Sequence, residues 1–242
     1  MPSAKRHTPL LLIALTLACG GGEPMGPNGN GNGNGDDMPD LVVEPDKDNT
    51  LFEDPNGALS GGLGEFLFAG VTDQDVLRRA LIRFNVAAAG IPAGATLDSV
   101  KLRLVMSRTI VGAFTVRLHR VLADWGEGSS NPGAQEGTGA PSEPGDATWI
   151  HTFFDTALWA TPGGDFDAQA SASRTVGENG TYTWGSTAQM VADVQSWIDD
   201  PANNFGWIVI GDETASRTAK RFDSRQRPAA TRPKLLLFYT EP

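Results

Sequence analysis

One cysteine stands in 242 residues, at position 19. A solitary thiol excludes a disulfide framework and any zinc site built on a cysteine cluster. Positive charge is scarce: 19 Lys and Arg against 29 Asp and Glu leave a net charge of −10. That balance argues against a nucleic-acid binder, because neutralising phosphates needs a basic surface. No apolar run reaches the roughly 20 residues that span a bilayer. The chain has 3 histidines, and only His119 and His151 lie beyond the N-terminal segment. There is no Gly-x-Ser-x-Gly elbow and no His-Glu-x-x-His helix, so the parts of a nucleophilic hydrolase are missing. What is present is 40 % hydrophobic residues, enough for one sizeable core in a chain length that all-β domains often reach (about 250 residues).

The first 18 residues read as a signal peptide. Lys5-Arg6-His7 is basic, and Leu10 to Ala18 is apolar except for Thr16, the order of a secretory signal and too short for a span. Leu17-Ala18-Cys19 resembles a bacterial lipobox. That resemblance implies cleavage before Cys19, diacylglycerol on its sulfur, and an exported lipoprotein of the outer membrane or cell surface. Membrane contact would then run through the lipid anchor only. Residues 19–40 alternate Gly and Asn from Asn28 to Gly35 and hold no aromatic residue. Such a composition cannot bury enough to offset backbone entropy and reads as a flexible tether.

From residue 41 to 242 apolar residues recur with period two. In Arg79-Ala80-Leu81-Ile82-Arg83-Phe84, the residues Ala80, Ile82 and Phe84 share one face; Val100–Met106 and Phe114–Leu118 alternate likewise. Further strands are expected at 41–43, 65–69, 148–154, 168–176, 205–210, 219–223 and 234–239. One helix is expected near residues 187–199, with Ser186 as its cap and Gln189 completing a capping box. Met190, Val191, Val194, Trp197 and Ile198 form its apolar face. The expected fold is all-β, a two-sheet β-sandwich of jelly-roll type with this single α-helix. Residues 123–180 differ, with few aliphatics and three tryptophans. The long loop of residues 126–145 is where binding is expected to reside.

Several strings carry a family resemblance: Asp48-Asn49-Thr50-Leu51, Gly64-Glu65-Phe66-Leu67-Phe68-Ala69-Gly70, Arg78-Arg79-Ala80-Leu81-Ile82-Arg83-Phe84, Ile91-Pro92-Ala93-Gly94, Ala123-Asp124-Trp125-Gly126-Glu127 and Ala219-Lys220-Arg221-Phe222-Asp223-Ser224-Arg225. Together they resemble the DNRLRE-domain proteins, bacterial and archaeal surface modules related to disaggregatase-type and carbohydrate-binding jelly rolls. The resemblance implies a β-sandwich, an extracytoplasmic location and contact with polysaccharide. The chain departs from that pattern at Gln226, where relatives place an acid after the Arg.

The candidate site residues follow from chemistry. An indole face stacks on the C–H face of a sugar ring, so Trp125, Trp149, Trp159, Tyr182 and Trp184 are candidate platforms, with Asp124 and Glu127 beside Trp125 as polar contacts. The same two acids are the best local pair for glycoside cleavage, although 29 acids produce such neighbours by chance. Calcium prefers oxygen-rich loops, and Asp46-x-Asp48 places alternate carboxylates where a structural calcium would pin the first strand. Arg78, Arg79, Arg83, Lys220, Arg221 and Arg225 read as ion-pairing residues, with an anionic-glycan site as the alternative. The functional expectation is a non-catalytic module that binds a polysaccharide or cell-envelope glycan. The rivals are an adhesive envelope protein with a protein partner and a polysaccharide-cleaving enzyme.

Overall fold

The computed structural model describes residues 38–242. The expected signal peptide, Cys19 and the tether up to residue 37 lie outside the described residues. Within them the elements in order are β1 (Leu41–Val43), β2 (Lys47–Phe52), β3 (Leu59–Ser60), β4 (Phe66–Val71), β5 (Leu77–Arg83), β6 (Thr96–Thr109), β7 (Phe114–Val121), β8 (Ala140–Pro141), β9 (His151–Phe153), β10 (Ala157–Leu158), β11 (Phe166–Val176), β12 (Gly180–Trp184), α1 (Ala188–Asp199), β13 (Trp207–Ile210), β14 (Lys220–Asp223) and β15 (Lys234–Thr240). No helix among them is long and apolar enough to cross a membrane.

The long strands form one curled antiparallel sheet in the order β1-β15-β6-β14-β4-β5-β13-β7-β11. In addition, β12 pairs with β6, and β2 with β5. The curl makes an all-β sandwich. One layer holds β1, β15, β6, β12, β14 and most of β4, and the other holds β2, β5, β13, β7 and β11. Strand β4 turns the corner: its residues Phe66–Ala69 pair with β14, while Gly70 and Val71 pair with β5. Gly70 has φ +116°, and a Cβ there would sit 2.9 Å from the Ala219 Cα. Only glycine fits where the two backbones cross.

Two clusters of buried side chains explain the layering. Between the layers pack Leu67, Ala80, Ile82, Leu102, Leu104, Leu118, Trp207, Val209, Phe222 and Leu235. Helix α1 adds Met190, Val194 and Trp197 to the same core. A second cluster lies on the opposite face of β5 and β13, where Leu81, Ile208 and Ile210 meet Trp125, Trp149 and Trp159. The run Trp207-Ile208-Val209-Ile210 is buried throughout, the signature of a strand covered on both faces. The cover is the aliphatic-poor segment between β7 and β11. It packs through its indoles: Trp125 Nε1 donates to Phe205 O at 2.8 Å and Trp159 Nε1 to Thr148 O at 2.9 Å.

The helix begins one residue later than expected. Thr187 Oγ1 accepts from the Met190 N–H at 3.0 Å, so Thr187 is the cap. Ser186 Oγ is used elsewhere, accepting from Val100 N at 3.1 Å. Gln189 does not close a capping box; its Nε2 donates to Asp193 Oδ1 at 3.0 Å.

Candidate functional site

The expected platforms are mostly inside. Trp125 is 0 % exposed, Trp184 0 %, Trp159 5 % and Trp149 8 %. A buried indole offers no face to a sugar, so these four are core residues, and the platform reading is corrected for each. Cations close two of them off further: Lys47 Nζ lies 4.3 Å from the Trp125 ring centroid and the Arg79 guanidinium 5.1 Å from that of Trp149. Tyr182 is half-buried. Its hydroxyl donates to Glu178 O at 2.6 Å and accepts from Gly177 N at 3.0 Å, tying the turn between β11 and β12.

The acids flagged in the sequence belong to one fastening network at the start of β2. Asp46 pairs with Arg83 and Asp124 with Lys47 at 2.9 Å. Lys47 also donates to Trp125 O. Burial pushes the Asp124 carboxyl up, but the hydrogen bond and charge of Lys47 prevail and hold it below the usual range. Glu127 takes both guanidinium arms of Arg225 and accepts from the Asp48 N–H at 2.9 Å. The arginine that lacks a following acid thus finds its carboxylate in a remote loop. Asp48 is 1 % exposed and accepts from Arg225 N at 2.7 Å. Asn49 accepts from Gly61 N and Thr50 N and donates to Ser60 Oγ and Glu127 O. The Asp48-Asn49-Thr50 string is therefore spent on holding β2 to the loops around it. Asp46 and Asp48 serve different partners. Among the described residues, no group of three or more His, Cys, Asp or Glu side chains is arranged to hold a metal ion.

A cleft of about 630 Å³ opens on the other side of β4, of a size that suits a small ligand. Its lining includes Phe68, Arg108, Ile110, Gln135, Glu136 and Arg221. Antiparallel pairing of β14 with β6 sets Arg221 against Arg108. Both guanidiniums converge on one neutral oxygen: Gln135 Oε1 lies 2.6 Å from Arg108 Nη1 and 2.9 Å from Arg221 Nη1. Arg221 also donates through Nε to Ser107 Oγ at 3.1 Å and stacks 3.7 Å from the Phe66 ring centroid. Burial, then the like charge of Arg108, lower its pKa. Among the described residues neither arginine has a carboxylate within salt-bridge distance, in a chain of net charge −10.

The wall carrying Gln135 is held in an unusual backbone. Ala134 and Glu136 have φ +58° and +65°, a region costly for residues with a Cβ. Three anchors hold it. The buried Glu136 carboxylate accepts from Glu65 N at 3.0 Å and Phe66 N at 2.9 Å. Arg78 donates through Nε and Nη2 to Gly137 O. The loop also closes on itself through Glu136 N to Gly133 O at 3.1 Å. Burial raises the Glu136 pKa against the pull of its two N–H donors.

The long loop of residues 126–145 does contribute to this site, but through Gln135 and Glu136 rather than its aromatic flank. Of the six basic residues noted in the sequence, Arg79, Arg83 and Arg225 form ion pairs. Arg78 and Lys220 bond neutral oxygens instead, as Arg221 does. Arg108 belongs to no motif or basic cluster in the sequence. The one signal for it is that strict alternation in β6 ends there, at a register shift against β14. No family model matches the chain, and no curated protein matches it.

Proposed function

We propose that this chain is an exported, lipid-anchored β-sandwich module that binds an anionic glycan in the Arg108–Arg221 cleft without cleaving it. The convergence of two guanidiniums on Gln135 Oε1 carries the reading. Guanidiniums match carboxylate and sulfate geometry in two-point contacts. Here an amide oxygen occupies the point where a ligand oxygen would bring full charge. Gathering two guanidiniums with no carboxylate at salt-bridge distance costs stability that the more distant Asp223 and Glu136 offset only in part, and an anionic ligand offsets the rest. The resemblance to the DNRLRE-domain proteins and the expected lipobox supply the surface location and the polysaccharide context. Asp124 and Glu127, tied to Lys47 and Arg225, hold the fold in this account and attack nothing.

A glycan array probed with residues 38–242 tests the proposal. This stretch contains both core clusters and forms a compact unit. Binding confined to carboxylated or sulfated glycans, and lost in Arg108→Ala/Arg221→Ala, is the expected result. Binding to neutral glycans that survives the double substitution would refute it.

A further inference from the structure

The solvent face of the first layer carries more unpaired positive charge than the cleft uses. In β6 the residues Val100, Leu102, Leu104 and Met106 point inward and are buried, which turns Lys101, Arg103, Val105 and Ser107 outward. In β15 the buried Leu235 and Leu237 likewise turn Lys234, Leu236 and Phe238 outward. The register sets Lys234 directly opposite Arg103, a cross-strand pair of like charges that destabilises a sheet. Lys101 lies 4.8 Å over the Phe238 ring centroid.

Among the described residues, none of Lys101, Arg103 and Lys234 has a carboxylate within salt-bridge distance. Glu44 pairs with Arg232 and Glu65 with Arg227, Asp223 lies 3.6 Å from Arg227, and Asp98 accepts from the Thr240 hydroxyl. Arg103 and Arg108 lie on the same strand, five residues apart, which is about 17 Å at the strand rise of ~3.3 Å per residue. Ser107, bonded to Arg221, faces the same side.

We infer that Lys101, Arg103 and Lys234 form a second anion subsite in line with the cleft, so that the module takes an extended chain bearing repeated negative charges rather than a chain end. The inference rests on the anionic-glycan reading of the cleft and adds the direction and length of the ligand. The separation exceeds one charged sugar, so a short oligomer reaches one subsite and a long one reaches both. Once the first subsite is filled, the second binds at high effective concentration.

Oligogalacturonides from the dimer upward, titrated into residues 38–242, test it. Affinity is expected to rise about tenfold or more once the chain spans both subsites. Arg103→Thr/Lys234→Thr should remove that gain while leaving dimer binding unchanged. Lys234→Glu should also remove it, and should leave the melting temperature unchanged or higher, since it places opposite charges across the strands. Equal affinity for dimer and polymer, or long-chain affinity untouched by these substitutions, would overturn the second subsite and leave the cleft standing. Absence of binding at every length would overturn both.

Discussion

Replacing Asp48 with Asn should flatten the dependence of stability on pH. The Asp48 carboxyl is enclosed at 1 % exposure. Burial pushes its pKa to about 8; the Arg225 N–H pulls it down, and the neighbouring Glu127 adds to the rise. In the unfolded chain the same group titrates near its ordinary 3.8. Between these values the folded state holds a proton that the unfolded state has released. Stability from this group is therefore fully present below about pH 4 and is lost as pH rises toward 8. The slope is about −1.4 kcal/mol per pH unit for one proton, so the loss from pH 5 to pH 8 is at most about 4 kcal/mol. Asn has nearly the same volume, does not titrate, and its amide oxygen can still accept from Arg225 N. Urea unfolding of residues 38–242 at pH 5, 6, 7 and 8, in both forms, is the assay. The Asn variant should gain on the native protein steadily with pH. Two parallel profiles would refute the reasoning and place an ionised carboxylate in the fold at neutral pH.

Three further outcomes follow from the packing. Trp125→Ala removes a fully buried indole and should cost about 3–5 kcal/mol in chemical unfolding; a loss under about 1 kcal/mol would mean that the ring is not part of the core. Thr187→Ala should cost about 1 kcal/mol through loss of the helix cap, and an unchanged urea midpoint would contradict that assignment. A chelator should leave the melting temperature where it was, because Asp46 and Asp48 already have protein partners. A clear drop that added calcium reverses would restore the metal site.

Much of the sandwich was legible in the chain. Strands such as β6 and β7 bury one face and expose the other, which writes period two into the sequence. The helix shows its core face through Met190, Val194 and Trp197. Strand β2 was not legible as a strand, because its polar residues Asp48, Asn49 and Thr50 point into the protein and are satisfied by loops far along the chain. The tryptophans of residues 123–180 looked like exposed platforms because their surroundings are poor in aliphatics. The apolar surface they cover lies on β5 and β13, whose second face shows only as the unbroken run from Trp207 to Ile210. The cleft was hardest to see. Arg108, Gln135 and Arg221 meet only through the register of β14 on β6 and the left-handed residues Ala134 and Glu136, and no local pattern announces either.

The claim that the paired arginines receive an anionic glycan is tested most directly by calorimetric titration of galacturonate oligomers, alongside the same oligomers with their carboxylates methyl-esterified. The native protein should bind the ionised chain with an affinity that falls as salt rises, and should not bind the ester. Arg108→Ala/Arg221→Ala should bind the ionised chain much more weakly and the ester not at all. Equal binding of acid and ester, or undiminished binding by the double variant, would contradict the account.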